Sequence, residues 1–472
     1  MSRYKIKKPK NNVLILLIAV CVVLIFLIFY IQGKTVDLQR LLMRKTQSDE
    51  TKTEQVKEPE PMPYTATLRI VITAGDGAVY RNQVTVYGDK GMTVSSENGE
   101  ETLEANVDYP FSEDKVVRLS APEGGQLFLR DDAKTNGYEG VLELQPTKSG
   151  VAVVNEINME HYLKRVVPSE MPHTYGKEAL KAQAVCARTY AYAHSNSYAY
   201  PELKGQMDDT VSFQVYNNGQ ETQETNQAVA ETAGQILMCD KKVLDAMYYS
   251  TSCGYTQDGS LFGGSLSNAV FPCEYIGTDE KKVEFDTYIR NSDDNAYESN
   301  ERYFRWKANV KETDITSAIT AIQGLQKEKG AVVCNAKTKK ILADSKKIQK
   351  RMTKLCNIEV LERNPGGAVT KIKLDFDGES ILINEQLHIR QVLGSITGSL
   401  TLQDGELMTE VSTLPSAAFS VEKQGDGFLL YGGGFGHGVG MSQNGAKALA
   451  GMGYAYGDIL NFFYKKTEIV TI

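Results

Sequence analysis

Glu170 stands between two prolines in VVPSEMP, Val166–Pro172. Proline fixes φ and pushes the residue before it towards extended backbone. The spacing therefore predicts a rigid turn that presents one carboxylate, either to do acid or base chemistry or simply to sit solvated beside a helix. The stretch that follows, GKEALKAQAVCARTYAYAHS, is alanine-rich and reads as a helix, with Glu178 near its start and His194 near its end. Lys181 and Arg188 lie seven residues apart and share a face of it. Their neighbours are mostly Ala, Val and Tyr, so the helix should be largely buried. Buried cations need partners, and Glu170 is close enough in sequence to be one; two solvated cations are the alternative. In YYSTSCGYTQDGSLFGG, Tyr248–Gly264, a strand runs into a loop whose Ser250, Ser252 and Tyr255 offer hydroxyls suited to sugar recognition, though such loops also serve no ligand at all.

The stretch Gly432–Ala446, GGGFGHGVGMSQNGA, holds seven glycines around His437, followed by Ser442 and Gln443. It contains neither GxGxxG nor GxxxxGK[ST], which removes the nucleotide reading. His437 has no second ligand at metal spacing nearby, so neither a metal nor a cofactor is expected. Glycines at this density imply positive φ or close approach of the backbone to something else. No Ser/His/Asp arrangement can be drawn from spacing, and no pair of carboxylates of the kind most glycosidases use stands out.

These segments need elements to position them. At 42% hydrophobic and 24% charged, the chain has ample material for a core. The first ten residues carry five basic side chains and no acid, and Val13–Ile31 then runs nineteen residues without a charge. That length matches a bilayer core and no small-x-small cleavage site follows. The sequence thus predicts a cytoplasmic basic tail (1–12), a single transmembrane helix (13–31), a polar stalk ending in EPEPMPYT (32–64) and an extracytoplasmic remainder. The formal charge of −7 becomes −12 without the first ten residues, and no basic stripe appears, which argues against nucleic acid as a partner. From Thr67 short alternating segments such as LRIVITA and VAVVNEI read as strands. Helices and strands mix without a βαβ rhythm, so the fold class expected is α+β beyond the membrane helix. The cysteines are spread out; Cys253 with Cys273 is the one plausible disulfide.

Four segments together resemble the SpoIID/LytB family: YEGVLELQPTKSGVAVVNEINMEHYLKRVVPSEMP, EALKAQAVCARTYA, YYSTSCGYT and GGFGHGVGMSQNGAKALAGMGYAYGDILNFFY, in the family's order. They cover roughly 138–275 and 431–472. The resemblance implies a β-rich subdomain (65–137), a catalytic core in two parts (138–280 and 421–472) and an insertion or accessory subdomain (281–420). It implies a lytic transglycosylase of peptidoglycan, which cleaves between N-acetylmuramic acid and N-acetylglucosamine and leaves a 1,6-anhydro end, in sporulation (engulfment) or wall remodelling. The family's motif glutamate falls on Glu170, and its helix lysine and arginine on Lys181 and Arg188. Ser250, Ser252, Tyr255, His437, Ser442 and Gln443 become supporting or substrate-binding candidates. The implied partners are peptidoglycan glycan strands, an amidase and other engulfment proteins. LytB-type members are described as enhancers of a partner amidase, which makes a non-catalytic glycan-binding enhancer the alternative. One departure stands out: where the family loop often reads Gly-Gly-His-Thr-Glu, this chain has Cys253-Gly254-Tyr255-Thr256-Gln257. A zinc site from Cys253, Cys273 and a histidine remains open beside the disulfide.

Overall fold

The computed structural model describes residues 67–472 apart from 76, 131–135, 264–265, 281 and most of 312–353. The alternation that begins at Thr67 builds an eight-stranded sheet. Its order is Met207–Asp208, Thr67–Ile72, Gly150–Asn158, Val141–Thr147, Val117–Ser120, Met92–Ser96 and Gly99–Leu103, with Tyr80–Arg81 also on Gly150–Asn158. Pairing is antiparallel except for Met207–Asp208 beside Thr67–Ile72. Successive side chains point to opposite faces. Leu68, Ile70 and Ile72 therefore enter the main core with Leu142, Leu144 and Val153, whereas Val71, Ala152 and Val154 join a smaller cluster on the other face. On the sheet Arg69 and Arg118 each bridge Glu143 and Glu156, at 2.5–2.9 Å.

The last strand leads into helix α1, Met159–Glu170. Asn158 caps it by accepting from the Glu160 N–H at 2.9 Å. Here the structure departs from the sequence expectation. Pro168 lies inside the helix's last turn, so Glu170 is the final helical residue and not part of an extended turn. Only the second proline acts as a stop: Met171, before Pro172, is extended. Helix α2, Lys177–His194, runs through the main core, with thirteen of its residues buried. Alanine makes this possible, because it allows close helix contacts on every side at high helix propensity. Helix α3, Gln223–Glu231, packs on α1 and α2.

Arg188 joins these elements. It is fully buried and forms a two-pronged pair with Glu160, Nε–Oε1 at 2.6 Å and Nη2–Oε2 at 2.8 Å. The same guanidinium donates to the carbonyls of Val229 and Gln235 at 3.2 Å each. Its partner is thus Glu160, twenty-eight positions away in sequence, and not Glu170, eighteen away. One side chain thereby ties α1 to α3 and to the strand Gln235–Cys239.

A second hydrophobic core lies between Trp306 and Leu430. A five-stranded sheet (order Leu407–Met408, Thr397–Leu402, Trp306–Lys311, Gly427–Gly432, Phe419–Gln424) and a four-stranded one built on Leu355–Arg363, Val369–Phe376 and Ser380–Asn384 enclose it with helix α4, Gln386–Ser395. The chain then returns to the main core through helices α5, Gln443–Gly451, and α6, Tyr456–Phe463, and the final strand Glu468–Thr471 pairs with Gln235–Cys239.

The described residues are α+β with short strands, but the membrane-spanning helix and the single-pass membrane placement expected from the sequence are corrected. No helix among the described residues is long and apolar enough to cross a membrane. The segments that prompted those expectations, 1–12, 13–31 and 32–64, lie outside the described residues.

Arg188→Ala leaves the Glu160 carboxylate buried without its counter-charge, and loss of a buried pair's partner costs about 3–5 kcal/mol. Urea unfolding of Arg188→Ala should show that loss, and the double variant Arg188→Met/Glu160→Gln should recover part of it.

Candidate active site

Glu170 is partly buried at the end of α1, under the loop Gln214–Gly219. Val215 N–H donates to Glu170 Oε1 at 2.7 Å. The hydroxyl of Tyr248 and the side-chain amide of Gln443 also hydrogen-bond the carboxyl. The same loop grips the preceding residue: Asn218 N–H and Gly219 N–H both donate to Ser169 Oγ at 2.9 Å. Gly219 must be glycine, because a Cβ there would lie 2.1 Å from the Pro168 carbonyl oxygen. Donors to a carboxylate favour the charged form and burial disfavours it. Burial wins, and the Glu170 carboxyl is raised from its ordinary 4.5 to about 7.

Tyr248 and Gln443 reach Glu170 from two distant stretches that the fold joins. Tyr248–Tyr249 and Met441–Ser442 form a parallel two-stranded pair. The glycines before Met441 permit it. Gly440 has φ +79°, and a Cβ there would sit 2.0 Å from the Met247 carbonyl oxygen; at Gly436, φ +113°, it would meet the Tyr249 side chain at 2.7 Å. Close approach to residues 247–257 is therefore what this loop's glycines serve. Tyr248 is itself held by Gln214, whose Nε2 donates to its hydroxyl at 3.0 Å. Gln443 Nε2 also donates to Gln183 Oε1 of α2 at 3.4 Å.

A second carboxyl, Glu298, lies fully buried beneath this pair. Ser252 N–H donates to its Oε2 at 2.8 Å, Ser252 Oγ to Oε1 at 2.7 Å, and Ser442 Oγ to Oε2 at 2.8 Å. Burial raises it too, from 4.5 to about 7. Ser442 is also the N-cap of α5, accepting from Gly445 N–H at 3.2 Å. Glu298 thus joins the two motifs from below, while Tyr248 and Gln443 meet Glu170 above.

The other candidates spread out. Lys181 pairs with Glu178 at 3.6 Å and Glu231 at 3.5 Å, with its ammonium 4.3 Å from the Tyr456 ring centre. Arg188 belongs to the α1–α3 brace described above. Ser250 accepts at its carbonyl from Asn444 N–H at 3.0 Å. Tyr255 packs on Tyr275 and Tyr288 and donates to Glu280 at 3.2 Å. His437 accepts at Nδ1 from Val439 N–H at 3.1 Å and its ring bonds the Tyr248 backbone, so it serves the loop's own folding; burial and the Arg390 charge push it down to about 4. Gln257, at the family's acid position, bonds Gly366 O at 2.8 Å and Ala368 N–H at 3.0 Å, across to the second core. Cys253 and Cys273 are free thiols, both raised by burial, Cys273 to about 12. Among the described residues no group of three or more His, Cys, Asp or Glu is placed to hold a metal.

Residues 147–239 match the family Stage II sporulation protein (SpoIID), and 274–440 match a domain of unknown function, DUF8618. The Stage II sporulation protein D of Bacillus subtilis is 28% identical over 330 residues, 67% of this chain and 75% of that protein. The Amidase enhancer of Bacillus subtilis is 28% identical over 322 residues, 66% of this chain but 40% of its own length. An uncharacterised protein of Brachyspira hyodysenteriae is 27% identical over 362 residues, 75% of this chain and 79% of that protein. A SpoIID domain therefore lies within this chain, and the relatives' names support the SpoIID/LytB resemblance. Glu298 and the Gly366–Ala368 turn come from the DUF8618 stretch, yet they hold the Ser252–Gln257 loop beside the SpoIID motifs. Sequence reading missed Glu298, which sits in the polar run RNSDDNAYESNERY without any periodic signal, and it missed the Gln214–Gly219 loop.

Glu298→Gln can keep all three hydrogen bonds, since the serine hydroxyls can turn to accept from an amide. It removes a proton site held at about 7 in the fold against 4.5 unfolded. A raised carboxyl contributes stability that is complete below its unfolded value and is lost as pH rises through the folded one. The parent should therefore lose about 3 kcal/mol through this group between about pH 4.5 and pH 7, and Glu298→Gln should lose that much less. Urea unfolding across this range checks it; parallel curves for both proteins would show that Glu298 does not titrate there.

Proposed function

We propose that this chain is a peptidoglycan lytic transglycosylase with Glu170 as its single acid and base. The observation that carries the reading is a carboxyl raised to about 7 with fixed donors around it. A group at this value still holds a proton near neutral pH and becomes the base on giving it, which is what one residue acting in both steps requires. In the first step protonated Glu170 gives its proton to the glycosidic oxygen as the C1–O bond of N-acetylmuramic acid breaks, leaving positive charge at C1. In the second the Glu170 carboxylate takes the proton of the same sugar's C6 hydroxyl, whose oxygen bonds C1 and closes the 1,6-anhydro ring. No water is activated, so the second carboxylate of most glycosidases has no task. Val215 N–H, Tyr248 and Gln443 orient the carboxyl and receive it in its charged state. Arg188 supports the reaction by holding α1 to α2 and Lys181 by holding α2 to α3, both at a remove from the acid. Sporulation and wall remodelling are the settings this activity suits, in keeping with the relatives' names.

The second reading, a glycan-binding enhancer of a partner amidase, rests on the relative named Amidase enhancer and on Tyr255 and Gln257 standing where the family loop has histidine and acid. Incubation with purified glycan strands free of stem peptides separates the two: new anhydro ends support the enzyme, and binding without products supports the enhancer.

Glu170→Gln should lower release of anhydro-ended fragments by about 10²–10⁴-fold, the usual contribution of a general acid or base, while leaving glycan binding intact. For the parent, activity should fall as pH rises through about 7, where resting Glu170 loses the proton it must give. Anhydro release by Glu170→Gln at the parent's rate would overturn the assignment.

A further inference from the structure

The glycine-rich loop carries one large side chain that the site described so far does not use. Phe435 is 40% exposed. Its ring stacks on Tyr303, with centroids 4.5 Å apart and planes inclined by 22°. Tyr303 covers one face of the ring, so the exposure belongs to the rest of it. The neighbours Gly434 and Gly436 have no side chains to crowd that surface. The ring is also fixed from behind: Phe435 and Thr251 exchange backbone hydrogen bonds at 2.8 and 3.1 Å, and Gly434 N–H donates to Tyr303 O at 2.8 Å. A single exposed ring is ordinary on a surface, but a rigid one stacked on a second ring offers a preformed face to a ligand.

Its position relative to Glu170 indicates what that is. Thr251 Oγ1 accepts from the Asn444 amide at 2.9 Å, and Asn444 follows Gln443, which bonds Glu170. A second line of contacts runs along the surface. Tyr175, in the short turn after Glu170, lies under the Lys447 ammonium at 5.1 Å from its ring centre; Lys447 pairs with Glu301 at 2.8 Å; and Glu301 leads in sequence to Tyr303. Polar groups that remain accessible thus connect the acid to the aromatic pair.

We propose that the Phe435–Tyr303 pair is a sugar-stacking subsite for an N-acetylhexosamine of the glycan strand, away from the bond that Glu170 cleaves. This rests on the glycan-cleaving reading above. A β-1,4-linked hexosamine carries its substituents equatorially and so presents axial C–H bonds on each ring face. Those weakly positive hydrogens suit the negative face of an aromatic ring. The subsite is assembled from both halves of the molecule, Phe435 from the glycine loop and Tyr303 from the region after Glu298, and it gives the second core a part in holding substrate.

The test uses full-length protein in the Glu170→Gln background, so that no strand is cleaved, and titrates peptide-free glycan strands by calorimetry. Phe435→Ala should weaken binding by about tenfold, or about 1.4 kcal/mol, and Tyr303→Ala should weaken it too, with unchanged thermal midpoints for the exposed Phe435→Ala. Phe435→Trp, which keeps a flat face, should hold the parent affinity. If the parent binds strands and both alanine variants bind as tightly, the subsite is overturned while the glycan reading stands, and the aromatic pair is left as a protein-docking face. If the Glu170→Gln parent itself binds no strand, the glycan reading falls and the subsite with it.

Discussion

Burial of the Glu170 carboxyl is the constraint on which the rest of the site depends. A backbone amide, a phenol and a side-chain amide all favour its charged form, yet desolvation outweighs them and leaves the group near 7. Were the burial weaker, the same donors would draw the group down towards or below its ordinary range; on the proposed reading it would then hold no proton to give, and without the donors the carboxylate left after proton transfer would have nothing to receive it. The surroundings can be understood as keeping both contributions in place: α2 packs behind α1, the Gln214–Gly219 loop covers it, and the paired strands at Tyr248 and Met441 bring the other two donors.

Much of that arrangement is fastened by residues of the stretch 274–440. Glu298 gathers Ser252 and Ser442 on one carboxyl, and Gln257 and Cys253 reach the Gly366–Ala368 turn. Arg305 adds a bond to the Cys253 carbonyl at 2.9 Å. The loop Cys253–Gln257 is tied down by residues from the DUF8618 stretch. Tyr255 and Gln257 therefore fit a loop whose order comes from contacts with its neighbour, which removes the need for a ligand to hold it.

Local signals were legible in the sequence and long-range partners were not. The strand alternation from Thr67 and the alanine helix after Pro172 follow from periodicity and propensity, and both are present. The prolines around Glu170 draw attention to its carboxyl, but not in the extended turn they suggest: Pro168 is accommodated in the final turn of α1, because core packing of Val166 and Val167 outweighs the bias a following proline imposes. That Arg188 would be buried and paired was readable. That its partner would be Glu160 was not, since α1 and α2 pack antiparallel through a turn whose path the composition does not reveal. Glu298 was invisible for a different reason. A single buried acid in a polar run has the same sequence appearance as a solvated one, and only the fold distinguishes them.

The glycine loop shows what composition leaves open. Its glycines imply positive φ or a close approach of the backbone to something else, without saying to what. In the fold they bring the loop against residues 247–257, where Cβ atoms at Gly436 and Gly440 would collide with Tyr249 and Met247. What remains for a ligand is what the glycines leave standing alone. Gln443 is carried inward to Glu170, His437 is committed to the loop itself, and Phe435 is held outward on Tyr303. A backbone packed this tightly cannot rearrange to suit a substrate, so whatever recognition the loop performs must come from side chains already in place, and an aromatic face needs no rearrangement to receive a sugar ring.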